Sequence, residues 1–131
     1  MIRPRVFLAD DHLEFLAAEM RLLGPHFEIV GTATDGALLI SKVQWLKPDV
    51  AVIDINMPVM NGIDAVHKLI ESGCVVKFVF LTISPVEEIV RTCLKEGALG
   101  YVWKPRMNRH LVPAIYAALE GRQYTSPLTH L

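Results

Sequence analysis

The 131-residue chain has little of what marks secreted, redox-active or membrane-bound proteins. Its two cysteines, Cys74 and Cys93, lie among apolar residues and lack the close pairing of a redox or zinc motif, so we expect buried structural thiols. The N-terminal apolar run is broken by charge well short of a signal-peptide core, and no later run is long enough to cross a bilayer. We therefore expect a cytoplasmic protein.

Net charge is also nearly absent. Thirteen basic and fourteen acidic side chains leave a formal charge of -1, so no overall field draws the chain to nucleic acid or anionic lipid. A partner must then be recognised by a local surface. Internal repeats and low-complexity tracts are absent too, and the length is that of one ordinary domain.

The sequence does contain two kinds of hydrophobic pattern, one typical of strands and one of helices, that alternate along the chain. Short apolar runs alternate with segments whose apolar residues have helical spacing. Runs such as VVKFVFL and AVID are apolar enough to be covered on both faces, as parallel strands are. A strand followed by a helix, five times over, predicts a doubly wound α/β fold. The predicted strands are Val6–Ala9, Glu28–Thr32, Val50–Ile53, Val75–Leu81 and Leu99–Trp103.

The helical pattern ends near Gly121. Beyond it the sequence GRQYTSPLTHL gains Ser, Thr and Pro, which is typical of a tail or of the start of a linker. We therefore predict one domain over residues 1–121, followed by a tail or linker over residues 122–131.

Polar side chains follow four of the predicted strands at the point where each strand ends. Asp10 and Asp11 follow the first strand, and Asp54 follows the third. Thr82 follows the fourth strand and Lys104 the fifth. Because ligands of such sheets bind beyond the carboxyl ends of the strands, we expect these five side chains to converge.

Such a cluster has a specific chemistry. Three carboxylates at one edge would repel one another and raise their own pKa values unless a cation lay among them. Oxygen ligands without cysteine or histidine at the strand ends favour Mg²⁺, whereas calcium takes more oxygens. Lys104 adds a second positive charge, and Thr82 a hydroxyl that can donate to an oxyanion. These residues predict a magnesium site that accommodates a phosphoryl group.

The same residues resemble the receiver domain of two-component response regulators over about residues 5 to 121. The stretches DINMPVMNGIDAV and EGALGYVWK, with the ending GRQYTSPL, are most similar to the subclass in which the receiver precedes a LuxR-type helix-turn-helix domain. That DNA-binding segment does not occur in these 131 residues. The features that carry the resemblance are Asp10-Asp11, Asp54 with Met57-Pro58 and Gly62 behind it, Thr82, Tyr101 and Lys104-Pro105.

The resemblance implies a flavodoxin-like sheet of five strands in the order 2-1-3-4-5, with five helices. It also implies that Asp54 accepts a phosphoryl group from a sensor histidine kinase and is one of the metal ligands. Asp11 would bind Mg²⁺ directly, Asp10 mainly through water, and Asn56 through its backbone carbonyl. Lys104 would neutralise charge on the phosphoryl oxygens. The chain would not be an enzyme beyond its own phosphorylation and slow dephosphorylation.

The resemblance further implies a switch. After phosphorylation Thr82 would move toward the phosphoryl oxygen, and Tyr101 would rotate inward into the vacated space. The surface of helix 4, strand 5 and helix 5 would then change and support a homodimer. DNA would be bound only through an output domain. Lys104-Pro105 would be a candidate for the cis peptide bond that the family often has.

Several of these residues have simpler alternative interpretations. Asp10 could N-cap the first helix, although one cap does not need two carboxylates. Tyr101 could be an ordinary core aromatic. His12, next to the acidic pair, is expected to be a hydrated residue at a helix start and not a metal ligand.

Two positions depart from the family pattern. Ile83 is bulky where a small residue such as alanine is usual after Thr82, so we expect restricted access to Asp54. Trp103 is large for its place and, with a period of two, shares the face that carries Tyr101.

Three other functions are compatible with parts of this pattern. A haloacid-dehalogenase-type phosphatase also uses Asp, Mg²⁺, Thr and Lys, but Asn56 replaces the second carboxylate of its signature and the acidic pair precedes the nucleophile. A flavodoxin-like FMN carrier shares the strand order, but its phosphate loop would be repelled by the acidic pair. A degenerate receiver that acts only as an interaction module is favoured by Ile83 alone.

Overall fold

A six-stranded parallel sheet forms the centre of the molecule in a computed structural model that describes residues 2–83 and 87–126. The strand order is β2-β1-β3-β4-β5-β6. Helices and strands alternate along the chain, with a short 3-10 turn at Lys104–Arg106. The elements are β1 (Arg5–Ala9), α1 (Leu13–Leu23), β2 (Glu28–Ala33), α2 (Gly36–Leu46), β3 (Val50–Asp54), α3 (Gly62–Glu71), β4 (Lys77–Thr82), α4 (Glu87–Lys95), β5 (Gly100–Trp103), α5 (Met107–Leu119) and β6 (Tyr124–Thr125).

The predicted α/β fold, its five helices and the strand order 2-1-3-4-5 are confirmed. The fourth strand begins at Lys77 and not at Val75, whose side chain is 89% exposed. β2 lies at the edge of the sheet, which explains why its residues are only half-buried and its alternation is weak.

A sixth strand was not predicted. Tyr124 pairs with Gly100 and Thr125 with Tyr101, so this two-residue strand extends the sheet beyond β5. Both residues fall in the segment predicted as a tail or linker. The boundary near residue 121 stays a prediction, but the chain contacts the sheet again after it.

Alternation along the buried strands divides the core into two layers. Phe7, Phe80 and Tyr101 point to the side covered by α2, α3 and α4. Leu8 and Val102 point to the opposite side, where α1 and α5 pack. Both faces of the central strands are buried, as their continuous apolar sequences predict.

Two of the helices begin at a capping side chain. The Asp35 side chain accepts a hydrogen bond from the Leu38 backbone at 2.8 Å and caps α2. The Asn61 side chain accepts from the Asp64 backbone at 2.9 Å and caps α3. α5 is the longest of the described helices with 13 residues, and none of those described is long and apolar enough to cross a membrane.

The two cysteines are unpaired thiols. Cys93 is fully buried, and burial raises its pKa to about 12. Cys74 is half-buried, so the expected burial holds in full for Cys93 only.

Candidate functional site

Four polar side chains converge at the carboxyl edge of the sheet. Asp10 follows β1, Asp54 ends β3, Thr82 ends β4, and Lys104 follows β5. All four are buried, with exposed fractions between 0% and 4%. Parallel strands all end at the same edge, so four of the five side chains expected to converge are buried there. Asp11, the fifth, lies next to Asp10 with its side chain 32% exposed.

Lys104 lies between the two buried carboxylates. Its Nζ is 2.7 Å from Oδ2 of Asp10 and 3.4 Å from Oδ2 of Asp54. The ammonium group also lies 4.1 Å from the centre of the Phe15 ring, which adds a cation–π contact. A lysine is buried here because two carboxylates compensate its charge. The peptide bond between Lys104 and Pro105 is trans, so the cis bond suggested by the resemblance is wrong.

The turn from β1 into α1 is held by Asp10. Its Oδ1 accepts a hydrogen bond from the His12 backbone N–H at 2.9 Å. The N-cap position of α1 is His12, without a capping side-chain bond, so Asp10 is not the N-cap. The His12 side chain is 61% exposed, and its Nδ1 lies 3.1 Å from Oδ1 of Asp11 and 3.3 Å from Oδ1 of Asp10. The sequence predicted a hydrated position for His12 but not its contacts with both carboxylates.

The donor set fits a divalent cation. One ligand atom each from Asp10, Asp11, His12 and Asp54 lies within 4.8 Å of the others. The cluster holds three carboxylates and Lys104 contacts two of them, so an excess of negative charge remains that a second cation would balance. Carboxylate oxygens are the ligands that Mg²⁺ prefers, and the acidic cluster therefore agrees with the predicted metal.

Burial is the main influence on the pKa of Asp54. Desolvation raises its pKa to about 6, Lys104 opposes that change, and Asp10 reinforces it. Its Oδ1 accepts a weak hydrogen bond from the Asn56 backbone at 3.3 Å, and the Asn56 side chain is exposed. A positive charge placed beside this carboxyl would favour its ionised, nucleophilic form.

Gly62 lets α3 begin directly behind the Asp54 backbone. A Cβ at this position would lie 2.4 Å from the Asp54 carbonyl oxygen, so any larger residue would displace the end of β3. The Gly62 N–H donates to the Ile55 carbonyl at 2.7 Å. The glycine of the sequence motif is therefore required by close packing of the backbone.

Tyr101 and Thr82 are in contact. Tyr101 is fully buried, and its hydroxyl is in a hydrogen bond with the Thr82 side chain. Burial raises the pKa of Tyr101 to about 12, so the phenol stays protonated. The tyrosine thus belongs to the core and contacts the polar site, and its role as a switch stays a prediction.

Ile83 and Trp103 meet beside the site. Ile83 follows Thr82 and is 58% exposed. The Trp103 indole Nε1–H donates to the Ile83 carbonyl at 2.9 Å. The two positions where the chain departs from the family pattern are therefore joined to each other.

Sequence reasoning missed one buried acid at the site. Glu19 of α1 is fully buried, and neither carboxyl oxygen has a hydrogen-bond partner of good geometry among the described residues. Its pKa is raised to about 9, mainly by burial and also by the Asp10 charge, whereas Lys104 lowers it. Its position three residues after Leu16 and four before Leu23, both buried, was the available signal.

The parallel α/β fold and the buried acidic cluster at its carboxyl edge are those of a receiver module. A comparison with protein families matches residues 6–116 to the response regulator receiver domain. The chain belongs to this family, as its resemblance predicted.

The relatives support the predicted subclass. The chain is 36% identical over 129 residues to the transcriptional regulatory protein DegU of Brevibacillus brevis, covering 96% of this chain and 55% of DegU. It is 34% identical over 123 residues to the nitrate/nitrite response regulator NarL of Escherichia coli, covering 92% of this chain and 57% of NarL. A LuxR-family response regulator from an Aurantimonas species has a TM-score of 0.90 at 28% identity, with 95% of this chain and 91% of that chain covered. The chain thus spans just over half the length of the first two relatives.

Proposed function

We propose that this receiver domain is a phosphorylation-dependent switch in which Asp54 accepts a phosphoryl group. The observation that carries the proposal is the position of Lys104 between the buried carboxylates of Asp10 and Asp54. That arrangement would supply a nucleophilic oxygen, a fixed positive charge and a group of ligands for a cation at one edge of the sheet.

The chemistry is a displacement at phosphorus. An oxygen of Asp54 forms a bond to the phosphorus atom while the bond from phosphorus to the donor breaks, and the leaving group departs on the opposite side. The natural donor would be a phosphohistidine of a sensor histidine kinase. Lys104 would bind the phosphoryl oxygens and hold their charge, so catalysis is positioning and electrostatics.

Asp10, Asp11, Asp54 and the Asn56 backbone carbonyl would hold Mg²⁺. When bound, the ion neutralises charge on the phosphoryl oxygens and compensates the repulsion among the carboxylates. The exposed His12 beside Asp11 leaves this end of the site accessible to water, which completes the coordination of Mg²⁺ in proteins.

Phosphorylation of Asp54 would then change the conformations of Thr82 and Tyr101. The Thr82 hydroxyl would turn toward a phosphoryl oxygen, and its contact with Tyr101 would give the tyrosine side chain a new packing. The affected surface comprises α4, β5 and α5, and we propose that it supports a homodimer. Residues 84–86 of the predicted helix 4 surface lie outside the described residues.

The longer context is also a proposal. Because the chain spans just over half of DegU and NarL, we propose that DNA is bound through an output domain outside residues 1–131. Residues 1–121 would be the receiver, and the following residues would begin the connection to that domain. We also propose a cytoplasmic location, where the sensor histidine kinase would transfer the phosphoryl group.

The domain would be phosphorylated once and would not turn over substrate. Mass spectrometry after incubation with acetyl phosphate and Mg²⁺ tests this, with one hydroxylamine-labile adduct of about 80 Da expected per chain. Asp54→Asn abolishes the adduct, whereas Asp64→Asn, a change at an exposed residue of α3, keeps it.

The alternatives give different outcomes in the same experiment. Sustained hydrolysis of a phosphate ester would indicate a phosphatase of the haloacid-dehalogenase type. A folded wild-type domain without any adduct would leave only the interaction module. An adduct on a side chain other than Asp54 would overturn the proposed role of that residue.

A further inference from the structure

Trp103 joins the end of β5 to the turn after β4. Thr82 and Trp103 are register partners of the parallel strands β4 and β5. From this position the indole reaches over the strand end, and its Nε1–H donates to the Ile83 carbonyl at 2.9 Å. The peptide that follows Thr82 is therefore tied by a side chain of the neighbouring strand.

Ser126 joins the same residue to β6. Its backbone N–H donates to the Tyr101 carbonyl at 2.9 Å, and its Oγ accepts from the Trp103 backbone N–H at 2.9 Å. The Ser126 hydroxyl thus accepts a hydrogen bond that a backbone carbonyl of a neighbouring strand would normally accept. It completes the hydrogen bonding of β5 on this side. Ser126 is 1% exposed, which is unusual for a polar residue of a linker.

β6 is fixed at its other end as well. The Tyr124 N–H donates to the Leu99 carbonyl at 2.8 Å. The Tyr124 hydroxyl lies 2.6 Å from Nδ1 of His110 on α5. The segment after α5 is therefore bound to β5 and α5 and does not simply trail away from the domain.

We propose that Trp103 is a positioning residue for Thr82, and that Trp103 and Ser126 together transmit the state of the phosphoryl site to β6. This inference rests on the proposed function. The direction of the Thr82 hydroxyl depends on the backbone at residues 82 and 83. The Ile83 side chain is too exposed to fix that backbone by its own burial, and the indole N–H supplies a fixed attachment point.

The state of the phosphoryl site can reach β6 because Trp103 contacts both Ile83 and Ser126. A movement of the turn after Thr82 shifts the position of the Ile83 carbonyl, and the Trp103 indole that donates to this carbonyl moves with it. The Trp103 backbone N–H is held by Ser126, so strain at Trp103 reaches the β6 pairing directly. β6 is the segment that precedes the proposed connection to an output domain, where such a signal would be used.

Two variants separate the two roles. Trp103→Phe removes the indole N–H and keeps an aromatic ring, and Ser126→Ala removes the hydroxyl that holds β6. Trp45→Phe is the matched control, because Trp45 lies on α2 and is 83% exposed. Thermal unfolding verifies that each variant is folded.

The first readout is the rate of phosphorylation by acetyl phosphate. We expect Trp103→Phe to lower the maximal rate about tenfold, because a displaced Thr82 no longer meets the phosphoryl oxygens in the transition state. The acetyl phosphate concentration at half-maximal rate and the Mg²⁺ affinity stay unchanged. If Trp103 only stabilised the fold, its substitution would lower the melting temperature without lowering the maximal rate at an unchanged half-saturating concentration of acetyl phosphate. Ser126→Ala and Trp45→Phe keep the wild-type rate.

The second readout is amide hydrogen exchange at Tyr124 and Ser126, with and without beryllium trifluoride and Mg²⁺ as a mimic of the aspartyl phosphate. In the wild type and in Trp45→Phe the mimic changes exchange at both amides. In Trp103→Phe and in Ser126→Ala that change is lost.

The outcomes are distinguishable. A wild type that forms no adduct and does not respond to the mimic contradicts the proposed function. A wild type that forms the adduct, with a normal rate and a normal exchange response in Trp103→Phe, overturns the inference alone. If Trp103→Phe does not fold, Ser126→Ala decides, because a β6 response that survives without the hydroxyl overturns the transmission through Ser126.

Discussion

Lys104 and Asp10 form an ion pair of 2.7 Å in which neither side chain is more than 3% exposed. Such a pair contributes little net stability while it is intact, because both charges lose their hydration. Removing one partner is costly, since the other charge stays buried without compensation. The pair is therefore the place where the polar site and the stability of the fold are most tightly connected.

Lys104→Met is expected to lower the free energy of unfolding by about 3 kcal/mol or more in metal-free buffer. Urea denaturation measures the change. Mg²⁺ should restore part of the loss, because a bound cation again balances the carboxylates. Lys77→Met, at an exposed position of β4, is the control and should change stability by less than about 0.5 kcal/mol. Equal effects of the two substitutions would contradict the buried ion pair.

Glu19→Leu is expected to raise the free energy of unfolding by roughly 1–3 kcal/mol at pH 7. The native carboxyl is buried without a well-placed partner, and its pKa of about 9 lies above the ordinary value of 4.5. Between these two values the unfolded chain has released the proton that the native state keeps, so wild-type stability falls as pH rises.

The pH series provides the check on Glu19. Urea unfolding with a chelator at pH 5, 7 and 8.5 should show the gain from Glu19→Leu growing with pH. Glu14→Leu, at an exposed position of the same helix, should show no such growth. A gain that does not depend on pH would mean that the carboxyl is ionised or solvated in the native state.

Val59→Gly is expected to stabilise the domain by about 1 kcal/mol. Val59 has a φ of 70° at the centre of a three-residue turn closed by the Met60 N–H and the Pro58 carbonyl at 2.7 Å. A β-branched residue in this region costs about 1–3 kcal/mol, which exceeds the roughly 0.5–1 kcal/mol of entropy that glycine adds to the unfolded chain. Val75→Gly, at an exposed position without a positive φ, should be neutral or destabilising by chemical denaturation.

The pKa of His67 is expected to lie above its ordinary value of 6.5, because Nδ1 is 2.7 Å from Glu96 and Nε2 is 3.1 Å from Glu71. The contribution of this contact to stability is complete below pH 6.5 and is lost as pH rises through the native pKa. NMR titration of the imidazole measures the value. Glu96→Gln should lower it, whereas Glu120→Gln, which removes the exposed partner of Arg122, should leave it unchanged.

Much of the site was predictable because topology alone brings it together. Asp10, Asp54 and Lys104 follow different strands, and a parallel sheet places all strand ends at one edge. The sequence could not reveal β6, because two residues are too few for a period to be recognised. Glu19 was missed because a charged residue on an amphipathic helix is normally assigned to solvent. The His12 contacts depend on the geometry of one turn, which residue spacing does not specify.

Ile83→Ala is expected to speed both phosphorylation by acetyl phosphate and loss of the phosphoryl group. Ile83 directly follows Thr82, and its exposed side chain leaves room for a smaller residue without a core cavity. Its carbonyl still accepts from Trp103 in the variant, so the attachment of the turn is preserved while side-chain bulk is removed. Stopped-flow phosphorylation and decay of the adduct measure the two rates, and Leu38→Ala, at an exposed position of α2, is the control. Unchanged rates in both directions would show that Ile83 does not limit access to Asp54.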